Sequence, residues 1–324
     1  MWHIRISVII PTYNRANYIG HTIDSFLNQK TDHPFEILVA DNNSSDNTEE
    51  IVRQKQFSSH RVPVIYLKEP KQGVHFARNT AAKKSTGELL YFTDDDMIAD
   101  ENLLTEIARI FEKDNTVGAA TGKVLPRWEK QPPEWILKYC NNGWLSLADY
   151  GDTDFVAEND PGIWSCHQAI KRNVFLKAGG FNPENTGGIW IGDGETGLNI
   201  KIHNLGYKFA YQPKAVTYHI IPKHRTTQDY LNKRLKNQGN CDSYTEYRLK
   251  KNDSMELFRS SILDLIRVPK FSLKGFLQKI NGKDSWHMTR AYASYYGSRS
   301  RYALRLIYDR AFRDMVLKND WLNE

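Results

Sequence analysis

Three consecutive aspartates, Asp94-Asp95-Asp96, follow the apolar run from Leu89 to Phe92. Adjacent carboxylates repel one another, so the cluster is easiest to explain when a bound cation offsets its charge; a solvated turn with a helix N-cap is the structural alternative. A second set of acids alternates with glycine in Gly192-Asp193-Gly194-Glu195-Thr196-Gly197. That spacing matches a dinucleotide-binding loop, but two negative charges would face the pyrophosphate and the acid expected about 20 residues on is missing. Asp193 or Glu195 instead suits a general base at a helix start, with helix capping as the plainer role. Asp41 could accept a hydrogen bond from a base N–H, and Tyr13 offers a ring for stacking. Asn14 and Arg15 could reach a ligand's polar edge, and Arg78 a ribose or diphosphate. His219 could add an imidazole to a carboxylate-held metal, while His224 and Arg225 could neutralise a leaving diphosphate. Singly, these also read as a turn former, solvated arginines and structural histidines.

These residues fall where the chain changes from apolar strand to polar loop. Strand-like runs at Ile4 to Ile10, Phe35 to Ala40 and Val64 to Leu67 alternate with amphipathic stretches at Tyr18 to Gln29 and Asp46 to Gln56. That order predicts a mostly parallel mixed sheet covered by helices, with ligands at the carboxyl ends of the strands. Further helices are expected over His75 to Thr86, 100–112, Asn173 to Ala178 and Glu195 to Asn204. Strands are expected at Leu89 to Phe92, Trp164 to Ile170 and, as two short pieces, near Phe209 and Val216. Residues 126–161 lose periodicity and read as a long irregular segment suited to lining a cleft. Gly187 to Gly194 reads as a glycine-rich loop.

Composition narrows the class. Of 324 residues 40% are apolar, which excludes wholesale disorder, and 44 Lys and Arg against 38 Asp and Glu leave a charge of +6. Residues 1–222 carry 23 basic and 27 acidic side chains (−4), whereas residues 223–324 carry 21 and 11 (+10). An acidic front part accommodates a divalent cation, and a basic, Tyr-rich tail suits an anionic partner. Cys140, Cys166 and Cys241 form no CxxC pair, which excludes a zinc ribbon and a disulfide framework. No stretch of about 18 apolar residues occurs, and no GxxxxGK[ST] loop.

Taken in order, SVIIPTYNR, EILVADNNSSDNT, GVHFARNTAAKKSTGELLYFTDDD, FLKAGGFNPE and GDGETGLNIKIHNLGYKFAYQPKAVTYH resemble a family 2 glycosyltransferase of the GT-A fold over roughly residues 4–222. The resemblance implies a nucleotide-sugar-binding, Rossmann-like α/β domain over 1–222, followed by a helical basic region over 223–324. It implies an inverting transfer of a sugar from a nucleoside diphosphate to an acceptor hydroxyl, with Mn²⁺ or Mg²⁺ as cofactor. Pro11, Tyr13 and Asp41 match base-holding positions, alongside Asn14 and Arg15, and Arg78 matches a donor-contacting arginine. Asp94 would lie near ribose or metal, Asp96 would hold the metal, and Asp95 sits at the variable position beside the donor. His219 matches a metal-ligating position in some relatives. Trp164, His167, Gln168 and Trp190 fall where donor sugar or acceptor is contacted. The family's base lies in a Glu-Asp pair, whereas here Asp193-Gly194-Glu195 stands; counting back from Gly206 favours Glu195.

Asp41 and Tyr13 favour uracil without excluding guanine or thymine. Expected partners are the nucleotide-sugar donor, a glycan or lipid-linked acceptor, an anionic membrane surface met by the tail with Tyr292, Tyr295 and Tyr296, and a twin subunit, but no nucleic acid. The expected location is cytoplasmic, at the inner face of a membrane. Two other classes compete: a nucleotidyltransferase, which would need an early glycine-rich triphosphate loop that PTYNR lacks, and a non-catalytic glycan or nucleic-acid binding module, which leaves the three aspartates without a purpose.

Overall fold

The computed structural model describes residues 3–183, 185–186 and 189–323, with the backbone alone for 185–186 and 189–190. The chain begins β1 (Ile6–Thr12), α1 (Ala16–Leu27), β2 (Phe35–Asp41), α2 (Thr48–Ser58), β3 (Val64–Lys68), α3 (Val74–Lys84) and β4 (Leu89–Thr93). It continues through β5 (Met97–Ala99), α4 (Leu103–Lys113), β6 (Val117–Trp128), α5 (Glu134–Tyr139), β7 (Phe155–Ala157), β8 (His167–Lys171) and α6 (Arg172–Lys177). The hairpin β9 (Asn185–Thr186) and β10 (Ile189–Trp190) precedes α7 (Gly194–Asn204) and β11 (Lys208–Ile221). Four helices follow: α8 (Gln228–Lys250), α9 (Ser254–Ile280), α10 (Trp286–Tyr308) and α11 (Arg310–Leu317).

Among the described residues the main sheet has nine strands, in the order β3-β2-β1-β4-β8-β6-β11-β5 with β7 beside β11. The half formed by β3, β2, β1 and β4 is wholly parallel, while β8, β5 and β7 run antiparallel to their neighbours. Strands covered on both faces need no polar side, and β1 is buried at every position. Their period of two still sorts the core. Ile6, Val8 and Ile10 meet Ile19, Ile23 and Phe26 of α1 on one face, and Ile9 meets Ala77 and Ala81 of α3 on the other. The result is a helix-sheet-helix sandwich.

Three expectations change. The strands near Phe209 and Val216 are one strand, β11, whose register slips between Gln212 and Val216; a Cβ at Gly122 would collide with the Ala215 carbonyl there, so glycine admits the bulge. Residues 126–161 hold α5, a short 3₁₀ turn (Gly143–Leu145) and β7, and much of the segment packs Ile136, Cys140 and Leu145 against Leu231 and Leu235 of α8. In the expected glycine loop, residues 187 and 188 lie outside the described residues, and Ile189–Trp190 pairs antiparallel with Asn185–Thr186.

The helices beyond residue 222 are fastened to the sheet layers. Leu322 joins the core beside Phe181 and Val174, Trp321 N–H donates to the Gly179 carbonyl, and Lys83 Nζ donates to the Leu322 carbonyl at 2.6 Å. Tyr302 donates its hydroxyl to the Ile191 carbonyl. Tyr292, Tyr295 and Tyr296, expected to face a partner surface, pack on one another and, for Tyr292 and Tyr296, on Phe271. No helix among the described residues is long and apolar enough to cross a membrane.

Candidate functional site

The carboxyl ends of β1 and β4, the start of α3 and the start of α7 enclose a cleft of about 390 Å³. Pro11, Tyr13, Arg15, Arg78, Asp94, Asp95, Asp96, Trp164, Glu195 and Arg225 line it, so strand ends far apart in the chain deliver most of the singled-out residues to one place. A larger hollow, about 1490 Å³, opens at the other end of β1 and β4 between His3, Gln29, Glu88 and Lys171. None of the singled-out residues lines it.

The aspartates are held by arginines. Arg78, buried, pairs with Asp94 at 2.5 Å. Arg15 lies 3.6 Å from Asp95 and 3.8 Å from Asp96, and Arg225 lies 3.0 Å from Asp96. Burial and the neighbouring Asp96 charge push Asp95 above the usual carboxylate range, with Arg15 opposing. Burial also works against ionised Asp96, but His219 where protonated, then Arg225 and Arg15, hold its carboxyl well below the usual carboxylate range.

His219 reaches Asp96 through strand pairing. β5 leaves the aspartates immediately and pairs with β11 so that Met97 faces His219, and Ile220 N–H donates to the Asp96 carbonyl. The imidazole Nδ1 lies 2.9 Å from the Leu145 carbonyl, which can only accept, so the proton is assigned to Nδ1. Nε2 then carries the lone pair, 3.6 Å from Asp96 and 2.7 Å from Arg225 Nη1. A histidine that donates one nitrogen to a backbone carbonyl and aims the other past a carboxylate has the set of a metal ligand. Among the described residues no three His, Cys, Asp or Glu side chains converge as a metal site. The guanidinium of Arg225 bridges Asp96 and His219 instead. Asp96 and His219 fit a divalent cation provided that a bound ligand supplies its remaining oxygens.

Across the cleft, Glu195 occupies the first turn of α7 and its Oε2 accepts from Ser165 Oγ at 2.9 Å. His75, stacked on Phe181 at 4.9 Å, places Nε2 3.9 Å from the same oxygen. Asp193 is the N-cap, accepting from Thr196 N–H at 3.4 Å. Glycine separates them because a Cβ at Gly194 would run into the His75 ring, and one at Gly192 would lie 2.6 Å from the Tyr244 ring. The glycines thus serve close packing. Glu195, Trp164 and Arg234 also line a second hollow of about 580 Å³ against α8, so they stand at the boundary between two concavities.

Other singled-out residues lie elsewhere. His167 is fully buried in β8, its Nδ1 2.7 Å from the Tyr91 hydroxyl and its Nε2 3.0 Å from the Ala215 carbonyl; burial pushes it down to about 4. Gln168, equally buried, donates to Asn199 at 2.7 Å. Neither reaches the cleft, because β8 is an interior strand. Asn14, at φ 54°, accepts from Ser45 N–H at 2.7 Å and ties the loops after β1 and β2 together. Asp41 is buried beside the cleft, accepting from Tyr66 Oη at 2.8 Å and Ser44 N–H at 2.9 Å. His224 is exposed on a 3₁₀ turn, and the Trp190 side chain lies outside the described residues.

Sequence reasoning gave no site role to Asn42 or Arg234, and reached Ser165 only within the stretch from Trp164 to Gln168. Asn42 saturates its amide on Glu69, Lys71, Gln72 and Gly73, fixing the loop before α3. Its signal was its place directly after a strand-end aspartate. Arg234 had no signal beyond the basic tail.

The family model described as Glycosyl transferase family 2 matches residues 7–179. A glucosyl-dolichyl phosphate glucuronosyltransferase of Haloferax volcanii is 24% identical over 70% of this chain and 73% of its own length. A GalNAc(5)-diNAcBac-PP-undecaprenol beta-1,3-glucosyltransferase of Campylobacter jejuni is 34% identical over 34% of this chain and 35% of its own. The chain thus spans only part of these relatives. A mannosyltransferase from Pyrobaculum calidifontis, solved in complex with GDP-Man and Mn²⁺, shares the fold with a TM-score of 0.62 at 20% identity, covering 95% of this chain and 88% of that one.

Proposed function

The chain belongs to glycosyl transferase family 2, and from that premise we propose that it transfers a sugar from a nucleoside diphosphate, uridine diphosphate favoured, to a glycan or lipid-linked hydroxyl in one inverting, metal-assisted displacement. One observation carries this reading. Glu195 sits where the aspartate-lined cleft meets the hollow against α8, so a donor in the first and an acceptor in the second would meet at its carboxylate.

Asp96 and His219 would hold Mn²⁺ or Mg²⁺, and such an ion offsets the charge developing on a leaving diphosphate. Arg225 and Arg15, already beside Asp96, would turn to the phosphates as the donor enters. Arg78, oriented by Asp94, would meet ribose or diphosphate. Tyr13, half exposed at the mouth, would stack on the base, and Asp41 keeps a lone pair on each oxygen for a base N–H. Glu195, steadied by Ser165, would remove the acceptor proton as its oxygen attacks the anomeric carbon from the face opposite the diphosphate. A single displacement inverts that carbon. The names of the Haloferax and Campylobacter relatives support a lipid-linked acceptor, and the Mn²⁺ and GDP-Man of the structural neighbour support the donor class and the ion.

Thermal unfolding with UDP, GDP and dTDP, each with and without Mn²⁺, tests the donor site. The expected result is a Mn²⁺-dependent rise in melting temperature with UDP, lost in Asp96→Ala, because a ligand bound only by the native state stabilises it by mass action. A rise with GDP alone would replace the base, and no rise with any would overturn the reading.

A further inference from the structure

Helix α9 turns Leu257 and Phe271 to the protein together with polar and small residues, but leaves most of its apolar side chains facing solvent. Towards α10 it turns Ser261, whose hydroxyl lies 2.7 Å from that of Ser300, and Asp264, 1% exposed and 3.6 Å from Arg299. Gly275 brings the two backbones together, since a Cβ there would lie 3.2 Å from Arg290 N. On the outer side Phe258, Ile262, Ile266, Leu273, Phe276 and Ile280 recur at intervals of four, four, seven, three and four, and they are 39–66% exposed. This is one helical stripe from Phe258 to Ile280, about 33 Å long, on a helix of 27 residues. A soluble surface rarely leaves so long an apolar strip uncovered.

The charges beside the stripe indicate what covers it. Arg259, Lys270 and Lys274, spaced eleven and four apart, run along one flank and are all exposed, while Arg267 turns inward to pair with Asp264 at 2.7 Å. The helix has two acids: Asp264 is buried, and Glu256 closes the capping box with Asp253. A second copy seated on α9 would bring cationic flank to cationic flank with almost no carboxylate between. An anionic bilayer supplies the missing counter-charge, and a helix too polar to cross a membrane but apolar along one side lies in the interface.

We infer that α9 docks the protein on an anionic lipid surface, Phe258 to Ile280 sinking to the acyl boundary while Arg259, Lys270 and Lys274 meet the phosphates. This does not depend on the transfer reaction, and it moves the lipid contact from the inward-packed tyrosines of α10 to α9.

Co-sedimentation of the full chain with phosphatidylcholine vesicles, with and without phosphatidylglycerol, is the test. The chain is expected to bind the phosphatidylglycerol vesicles, and the paired variant Leu273→Glu, Phe276→Glu to bind them about tenfold more weakly or worse. Lys270→Glu with Lys274→Glu is expected to abolish the preference for phosphatidylglycerol. All four positions are exposed, so unchanged circular-dichroism melts are expected. Absence of binding, equal binding to both vesicle types, or undiminished binding by the Leu273, Phe276 pair would overturn the inference. So would a dimer in light scattering that the same pair dissolves, since the stripe would then be covered by a second copy.

Discussion

Asp193 and Glu195 stand two residues apart, yet their carboxylates point into different chemistry. Asp193 is committed to the Thr196 amide as a helix cap, while Glu195 faces the cleft with Ser165 on one oxygen. Glu195→Gln is therefore expected to lower kcat by about 10²–10⁴ while keeping the nucleotide-induced melting shift, since the amide removes the base and little else. Asp193→Asn should retain most turnover, because asparagine caps a helix as well as aspartate. Steady-state kinetics on both variants decide it, and the reverse ranking assigns the base to Asp193. The acids were visible in the sequence because three adjacent carboxylates and a glycine-flanked pair are rare without a purpose. Their partners were not, since an arginine 129 positions from Asp96 carries no local mark of pairing with it.

Among the elements, β8 and β11 show how a strand decides what a side chain can do. His167 and His219 both sit on apolar strands and both looked free to serve a ligand. β8 lies between β4 and β6, and its histidine is sealed as a neutral imidazole between Tyr91 and Ala215. β11 pairs with β5, and its histidine emerges beside Asp96. Burial lowers His167 from an unfolded value of 6.5 to about 4, so between those values the unfolded chain binds a proton that the folded chain refuses. Stability is then lost as pH falls through that window, by up to about 3 kcal/mol, and is unaffected above it. His167→Gln, whose amide can still reach Ala215, should melt with a shallower decline between pH 6.5 and 4 than the parent chain. Parallel declines would refute the assignment. The strands themselves were legible from apolar runs, but the bulge at Gln212–Val216 was read as a break, because Pro213 and Lys214 interrupt the run in the same way a turn would.

Across the whole molecule, the last residues return to the first layers. Leu322 is inserted between α3 and α6, and Lys201 Nζ, buried in α7, reaches the Gly180 and Asn319 carbonyls at 2.6 and 2.8 Å. Leu322→Ala is expected to cost about 2–4 kcal/mol and to shift a single cooperative unfolding transition. Urea melts followed by tryptophan fluorescence and by circular dichroism should move together; divergence would mean that residues 223–324 unfold on their own.

From the residues alone came the α/β alternation, the strand-end polar clusters and the chemistry those clusters suit, because periodicity and charge are local properties of a chain. Tertiary structure decided which of them meet. The Met97 to His219 register set the imidazole of His219 beside Asp96, the interior place of β8 withdrew His167 and Gln168, and the packing of α9 on α10 turned an apolar stripe outward. Each depends on contacts between segments tens to hundreds of residues apart, whose free energy is decided by the fit of surfaces and not by the identity of any one residue.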